Sequence, residues 1–147
     1  MQSWERLTRE ANRAYFKHAF SDAVDLNRKA LSQVEGDFDH GFYQDPETFV
    51  AATVVSYLNI AEAFTGLGDC VSANLQYENA VNFLQSILIR SDLEAEQRNL
   101  IMRTATHIRF EWDLFTQSHG ANLKAQSKAL MQAITHAVSY SKAVVHH

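Results

Sequence analysis

The chain has 147 residues, of which 46% are hydrophobic and 20% are charged, and its formal net charge is −4. This length suits one ordinary domain, and a disordered chain would have fewer apolar residues and a larger net charge. Five Gly, one Pro and one Cys are too few for a collagen, a disulfide-stapled fold, or a sandwich or barrel that turns about every ten residues. The composition therefore predicts an all-α fold.

Apolar periodicity predicts two short amphipathic helices at the start of the chain. The first runs from about Ser3 to His18, and the second from about Ser21 to Val34, with Gly36 ending it. Residues 36–45 contain two Gly and three Asp, a composition typical of a loop. We therefore expect the one real loop of the chain at this place.

Two longer helices follow the loop. Asp45, Pro46 and Glu47 suit an N-cap, a first helical position and the positive end of the helix dipole. This third helix should reach about Thr65, before the Gly-Leu-Gly at 66–68. Asp69 is then placed to cap a fourth helix, which should run to about Ile89.

The C-terminal third predicts one more pair of helices. Residues 91–94 fit a capping box that starts a fifth helix, and we expect Gly120 to break it. A sixth helix would follow, with alanines every four residues that permit close helix approach. The prediction is thus a single domain, 1–145, of three antiparallel hairpins at about 3–35, 46–90 and 92–144, with 146–147 as a tail or tag remnant.

Small and aromatic residues recur at matching offsets in the first two hairpins. The second hairpin carries Tyr57, Ile60, Ala61, Phe64, Gly68, Asp69, Ala73, Tyr77 and Ala80, and the first carries Leu7, Ala11, Ala14, Phe20, Ala23 and Ala30. This pattern resembles the tetratricopeptide repeat (TPR) family. The resemblance implies a right-handed stack of three helical hairpins, here with long inserted helices. Ala23 and Ala73 lie 50 residues apart instead of about 34, and the terminal Pro of the motif is absent.

The same resemblance implies a non-enzymatic adaptor or scaffold that binds a protein or peptide in a groove lined by the first helix of each pair. Its offsets place these residues in the groove: Thr8, Arg9, Asn12, Tyr15, Leu58, Asn59 and Glu62. One subfamily holds a peptide carboxylate with a Lys and two Asn. Asn12 and Asn59 match those Asn positions, but Thr8 stands in place of the Lys.

Two further interpretations stay open. Phe42 and Tyr43, close to Asp39 in the predicted loop, either form an exposed contact surface or plug the groove between the first two pairs. The alternative function is a small-molecule sensor with an enclosed pocket between the long third and fifth helices. A nucleophile motif, a phosphate loop and a metal-ligand pattern are all missing from the sequence, so we expect no catalytic residue, cofactor or metal.

Charge is unevenly distributed along the chain. Residues 30–89 contain eight acids and no Lys or Arg, which disfavours nucleic acid and indicates either a solvated acidic surface or a partner with basic groups. Apolar runs stay shorter than the ~18 residues of a membrane helix, and the lone Cys70 suits a reducing compartment. We expect a cytoplasmic protein without nucleic-acid or membrane partners; the protein or peptide partner is unknown, and a homodimer is left open.

Overall fold

The computed structural model describes the backbone of residues 1–145 and the side chains of residues 1–139, so the predicted tail at 146–147 lies outside the described residues. This part of the chain contains six helices and no strand: α1 (Gln2–Phe16), α2 (Phe20–Gly36), α3 (Phe38–Gln44), α4 (Pro46–Gly66), α5 (Cys70–Leu88) and α6 (Ala95–Val145). The prediction of an all-α fold is confirmed.

The helices pack against one another in chain order. α1 packs on α2, α2 on α4, α4 on α5 and α5 on α6, while α4 also contacts α1, α3 and α6. The predicted hairpins 3–35 and 46–90 correspond to the α1–α2 and α4–α5 pairs, whereas the TPR-like, right-handed stacking stays a prediction.

The starts of the two long hairpin helices are confirmed. Asp45 Oδ1 accepts a hydrogen bond from the Thr48 amide at 3.3 Å, and Pro46 opens α4. Asp69 Oδ1 accepts a bond from the Ser72 amide at 3.0 Å. Each carboxylate satisfies an amide that lacks a partner within its helix, which stabilises the helix start by about 1 kcal/mol.

Small residues lie where the paired helices cross. Ala11, Ala23, Ala61 and Ala73 are all fully buried. Gly66 allows a similarly close contact, because a Cβ added there would lie 2.5 Å from the nearest ring carbon of Phe20. The small side chains let the helix backbones approach closely while larger residues pack beside them.

α4 is the central helix of the fold. It contacts every other helix and buries, among others, Val50, Val54 and Ile60. By length and composition it is also apolar enough to cross a membrane, with a mean hydropathy of 1.3, and 44% of that window is buried inside the fold. The buried core helix of a globular protein meets the same two criteria.

The loop predicted at 36–45 is wrong, because most of it forms the short helix α3. Phe38 and Phe42 lie four residues apart and therefore share a helix face. Phe38 packs edge-on against Phe83, with ring centroids 5.2 Å apart, and Phe42 is 2% exposed within the largest core cluster. Burial of these two rings outweighs the low helix propensity of the glycine and aspartate residues.

The third hairpin, 92–144, is also wrong, because α6 continues through Gly120 to Val145. A single glycine costs a helix only about 1 kcal/mol. Phe115 and Leu123, on either side of it, pack in the same cluster at the start of α5. The sixth helix of the prediction is therefore the second half of α6, and the total of six is reached through α3.

Further contacts fix the two parts of α6. Gln126 accepts a hydrogen bond from the Cys70 amide at 2.9 Å and donates one to the Gly68 carbonyl at 2.8 Å. At the N-terminus, the predicted capping box gives way to a start at Ala95, where the Glu94 amide donates to Gln97 Oε1 at 2.9 Å. A glutamine side chain thus takes part in hydrogen bonds at each end of the segment that contacts the body: Gln97 accepts one, and Gln126 accepts one and donates one.

Candidate functional site

A solvent-open cleft lies where the C-terminal parts of α1 and α4 meet the middle of α6. Its volume is about 300 Å³, and we call it the central cleft. It is lined by Tyr15, Glu62, Thr65, Gly66, Tyr77, Glu111, Leu114, Phe115, Ser118 and His119. Four helices therefore contribute to one depression.

The floor of the central cleft is aromatic. Tyr77 is 6% exposed, and its ring stacks on Trp112 with centroids 6.0 Å apart and planes 8° from parallel. Phe115 packs against the same tyrosine at 5.2 Å. Trp112 is held in place because its Nε1 donates a hydrogen bond to Asn74 Oδ1 at 2.8 Å. The floor is consequently a rigid surface of packed rings.

Two carboxylates stand at this floor. Burial, and then the charge of Glu111, raise the pKa of Glu62 above its usual value. Burial together with the charges of Glu62 and Glu111 raises the pKa of Tyr77 to about 12. Within residues 1–139 the one salt bridge lies elsewhere, between Arg90 and Asp39. The central cleft therefore holds negative charge that is not neutralised by a salt bridge from the described side chains.

A second acidic cleft, of about 370 Å³, lies between α3, the start of α4 and the start of α6; we call it the N-terminal cleft. It is lined by Tyr43, Pro46, Glu47, Asp92, Glu94, Glu96, Gln97, Leu100 and Arg103. The Tyr43 hydroxyl donates a hydrogen bond to Asp92 Oδ2. This bond raises the pKa of Tyr43 and lowers the pKa of Asp92. Four carboxylates and one guanidinium give this cleft a net negative charge.

One surface strip of α4 connects the two clefts. Residues three or four apart share a helix face, so Ala51, Val55 and Leu58 lie between Glu47 and Glu62. Ala51 and Val55 are exposed and Leu58 is half-buried. The two glutamates are about 22 Å apart along the helix, at ~1.5 Å per residue. This α4 strip is therefore acidic at both ends and apolar in the middle.

The structure brings together only some of the predicted groove residues. Tyr15 and Glu62 line the central cleft, and Leu58 lies on the α4 strip, where it packs against two core clusters. The other four predicted residues, Thr8, Arg9, Asn12 and Asn59, line neither cleft.

Those four residues have different surroundings. The Thr8 hydroxyl is buried, Arg9 lies with Glu5 in a shallow depression along α1, Asn12 is exposed, and Asn59 is half-buried. The two asparagines that match the carboxylate-binding pattern are thus separate from both acidic clefts. An acidic cleft would in any case repel a carboxylate.

The three residues predicted in the loop also separate. Asp39 accepts from Arg90 in the salt bridge, at 2.7 Å. Phe42 is buried, and the Arg90 guanidinium lies over its ring at 5.3 Å, so its assignment as an exposed contact residue is wrong. The alternative, a plug between the first two pairs, does not describe it either, because the other members of its core cluster come from α4, α5 and α6. Tyr43 is 64% exposed and lines the N-terminal cleft.

Four important residues of the central cleft were absent from the prediction: Tyr77, Glu111, Phe115 and His119. The weak repeat pattern in the last third of the chain placed no α6 residue in the groove. A usable signal was present, since Glu111, Phe115 and His119 follow one another at intervals of four and therefore share one face of a helix.

Comparison with known proteins gives a family but no activity. The model of the family described as "Protein of unknown function (DUF2753)" matches residues 2–146. No curated protein and no solved structure matches the chain. Because the match spans nearly the whole sequence, the chain belongs to the DUF2753 family.

Proposed function

We propose that this member of the DUF2753 family is a non-enzymatic adaptor that binds an extended, basic segment of another protein along the α4 strip. Lys or Arg side chains of the partner enter the two clefts, and apolar side chains cover the middle of the strip. The observation that carries the proposal is the pair of carboxylates at the aromatic floor, the exposed Glu62 and the half-buried Glu111. Neither has a salt bridge from the described side chains.

A cation is the ligand that best suits the central cleft. The raised pKa of Glu62 means that burial and Glu111 make its charged form unfavourable, and a cation placed between the carboxylates would reverse that effect. The rings of Tyr15, Tyr77 and Phe115 add favourable cation–π contact. This ligand is opposite in charge to the peptide carboxylate suggested by the resemblance.

The length of the strip defines the spacing of the ligand. About 22 Å separates Glu47 from Glu62 along α4, and an extended peptide rises ~3.3 Å per residue. The cationic residues of the partner are therefore about seven positions apart. Between them we expect Leu, Val or Ile residues that face Val55 and Leu58.

Two features beyond the site support a peptide ligand. The TPR resemblance implies a groove lined by the first helix of each pair, and α4 contacts both α1 and α6. The acidic middle third of the chain, with eight acids and no Lys or Arg between residues 30 and 89, would attract a basic segment over a distance of about 10 Å.

The test is a binding titration with fluorescent peptides that carry two Lys at a separation of seven residues. The substitutions Glu62→Gln and Glu111→Gln each remove one carboxylate, and we expect each to weaken binding about ten-fold, equivalent to ~1.4 kcal/mol. Glu78→Gln is the matched control, because Glu78 is exposed on α5 and outside both clefts. Equal dissociation constants for the Glu62 and Glu78 variants would refute the proposal.

A small amine is the second candidate ligand, since the volume of about 300 Å³ of the central cleft is that of a small ligand site. Such a ligand would occupy the central cleft alone. Glu47→Gln would then leave its affinity unchanged, whereas the peptide proposal requires weaker binding from the same substitution. A free diamine that binds as tightly as the two-Lys peptide would favour this alternative.

A further inference from the structure

α6 exposes apolar side chains on both sides of Gly120. Each of the following side chains is between 47% and 61% exposed: Met102, Phe110, Leu130, Met131, Ile134 and Val138. The second half of the helix also extends beyond the body. Leu123 and Gln126 still contact the start of α5, whereas every residue from Lys128 to Ser139 is exposed. We call residues 127–139 the arm.

The exposed apolar residues are arranged symmetrically around Gly120. Phe110 and Leu130 each lie ten residues from it, and Met102 and Val138 each lie 18 residues from it. In an antiparallel pair of identical helices, residues equidistant from the crossing point face each other across a twofold axis. A crossing at Gly120 would therefore place Phe110 against Leu130 and Met102 against Val138 of the second copy, while Met131 and Ile134 would face Arg109 and Thr106.

The spacing also suits a pair of wound helices. Met102 and Leu130 are 28 residues apart, as are Phe110 and Val138, and this interval is four heptads. A straight α-helix drifts by ~20° per heptad, which a left-handed winding of two helices compensates. The two apolar groups of α6 therefore lie on one stripe for a partner helix that winds around it, and polar residues such as Asp113 and Ser127 separate them.

Glycine at the crossing point is explained by the same arrangement. A Cβ added at Gly120 would meet one neighbouring atom, Cγ2 of Thr116, at an ordinary 3.7 Å, and the backbone there is helical. The fold of one copy therefore tolerates alanine at this position. A second helix that crosses at Gly120 benefits from the absent side chain, because the two backbones can approach closely.

The distribution of charge along α6 favours a second copy of the chain, in antiparallel orientation, as the partner of this surface. Residues 114–147 contain three Lys and no Asp or Glu. In the antiparallel register, Asp113 faces Ser127 of the other copy, since both lie seven residues from Gly120, and Lys124 and Lys128 flank that serine. Two parallel arms would instead bring lysine against lysine, which is unfavourable.

We infer that this chain forms a twofold homodimer in which two α6 helices cross antiparallel at Gly120. The arm of each copy covers the Met102 and Phe110 surface of the other, and the apolar stripe is removed from water in both copies. The inference is independent of the proposed peptide function, because none of these α6 residues lines the central cleft.

The mass in solution is the first test. Light scattering should give twice the 16.7 kDa chain mass. Ile134→Glu should convert the protein to a monomer, because it places a charge within the stripe. Gln132→Glu is the matched control: it adds the same charge two residues away, on the opposite face of the arm, and should stay dimeric. A monomeric wild-type protein at every accessible concentration would overturn the inference.

Cysteine cross-linking tests the register. Phe110→Cys and Leu130→Cys chains, mixed under oxidising conditions, should form a disulfide-linked dimer, and neither variant alone should do so, because like positions are 20 residues apart across the axis. The native Cys70 is buried and is common to every sample. Two outcomes would overturn the inference. One is an internal disulfide in a chain that carries both substitutions and has the mass of a monomer, which would indicate that α6 folds back at Gly120. The other is a monomer that binds anionic phospholipid vesicles through its arm.

Discussion

Phe42 offers a sharp test of how α3 stabilises the fold, through the substitution Phe42→Ala. The ring is 2% exposed, stacks on Phe38 at 5.6 Å and belongs to the core cluster that includes Val50 and Ile101. A buried Phe removes roughly 150–250 Å² from water, and at ~25 cal/mol per Å² most of this contribution is lost on truncation to Ala.

We therefore expect the free energy of unfolding to fall by about 4 kcal/mol, within the ~3–5 kcal/mol typical of Phe→Ala in a core. The loss of the Arg90 guanidinium over the ring at 5.3 Å adds about 0.5 kcal/mol. Since the free energy of unfolding of a small protein falls by ~2 kcal/mol per M of urea, the midpoint of unfolding should fall by about 2 M.

Urea denaturation followed by circular dichroism measures this change, with Tyr43→Ala as the matched control. Tyr43 is the next residue of the same helix, but it is 64% exposed, so its truncation should cost less than about 1 kcal/mol. If Phe42→Ala costs no more than Tyr43→Ala, then α3 is a surface element and the assignment of Phe42 to the core is wrong.

Three further outcomes are expected. Gly41→Ala should destabilise the protein by about 1–2 kcal/mol in the same urea assay, because the added Cβ would lie 2.2 Å from the Phe49 ring. The control Gly36→Ala should be neutral or slightly stabilising, because the space around Gly36 is open. The free energy of unfolding should fall between about pH 10 and 12, because burial and then Glu35 raise the pKa of Tyr57 to about 12 in the folded protein, so the tyrosine of the unfolded chain loses its proton first. Tyr57→Phe should reduce this alkaline loss of stability. A variant with the same alkaline stability profile as the wild type would contradict the prediction. Binding of the two-Lys peptide should weaken as the pH falls toward the raised pKa of Glu62, since protonation removes the charge that attracts the ligand; affinity that is constant from pH 7 to pH 4.5 would contradict this.

The parts of the fold that follow from local chemistry could be predicted from the sequence. Asp45 and Asp69 act as caps, as their spacing indicated, because an N-cap depends on residues within one turn. The buried alanines at the α1–α2 and α4–α5 crossings were likewise identified from their repeated offsets. These features are encoded within a few residues of each other.

The two wrong predictions concern segments whose structure depends on distant contacts. α3 has the composition of a loop, and only the packing of Phe38 and Phe42 against other helices makes it helical. Gly120 resembles a helix end, but Leu123 and Gln126 bind the start of α5 and keep the helix continuous. Tertiary contacts override local propensity at both places.

The candidate site was predicted in part for the same reason. Tyr15 and Glu62 follow from offsets within the two hairpins that resemble the repeat. Glu111 and His119 come from α6, where the repeat pattern is weak, so their proximity to Glu62 depends on how α6 packs across α4. A periodic sequence identifies the face of a helix, and the neighbouring helix then determines which faces meet.

The most direct test of the proposed function is a double-mutant cycle between the protein and its peptide. The cycle combines Glu62→Gln with replacement of one peptide Lys by Met, and titration calorimetry gives the four dissociation constants. If that lysine enters the central cleft, the two changes should be non-additive, with a coupling free energy of about 1–1.5 kcal/mol. Additive effects at each of the peptide lysines would show that no cation contacts Glu62, and would contradict the account.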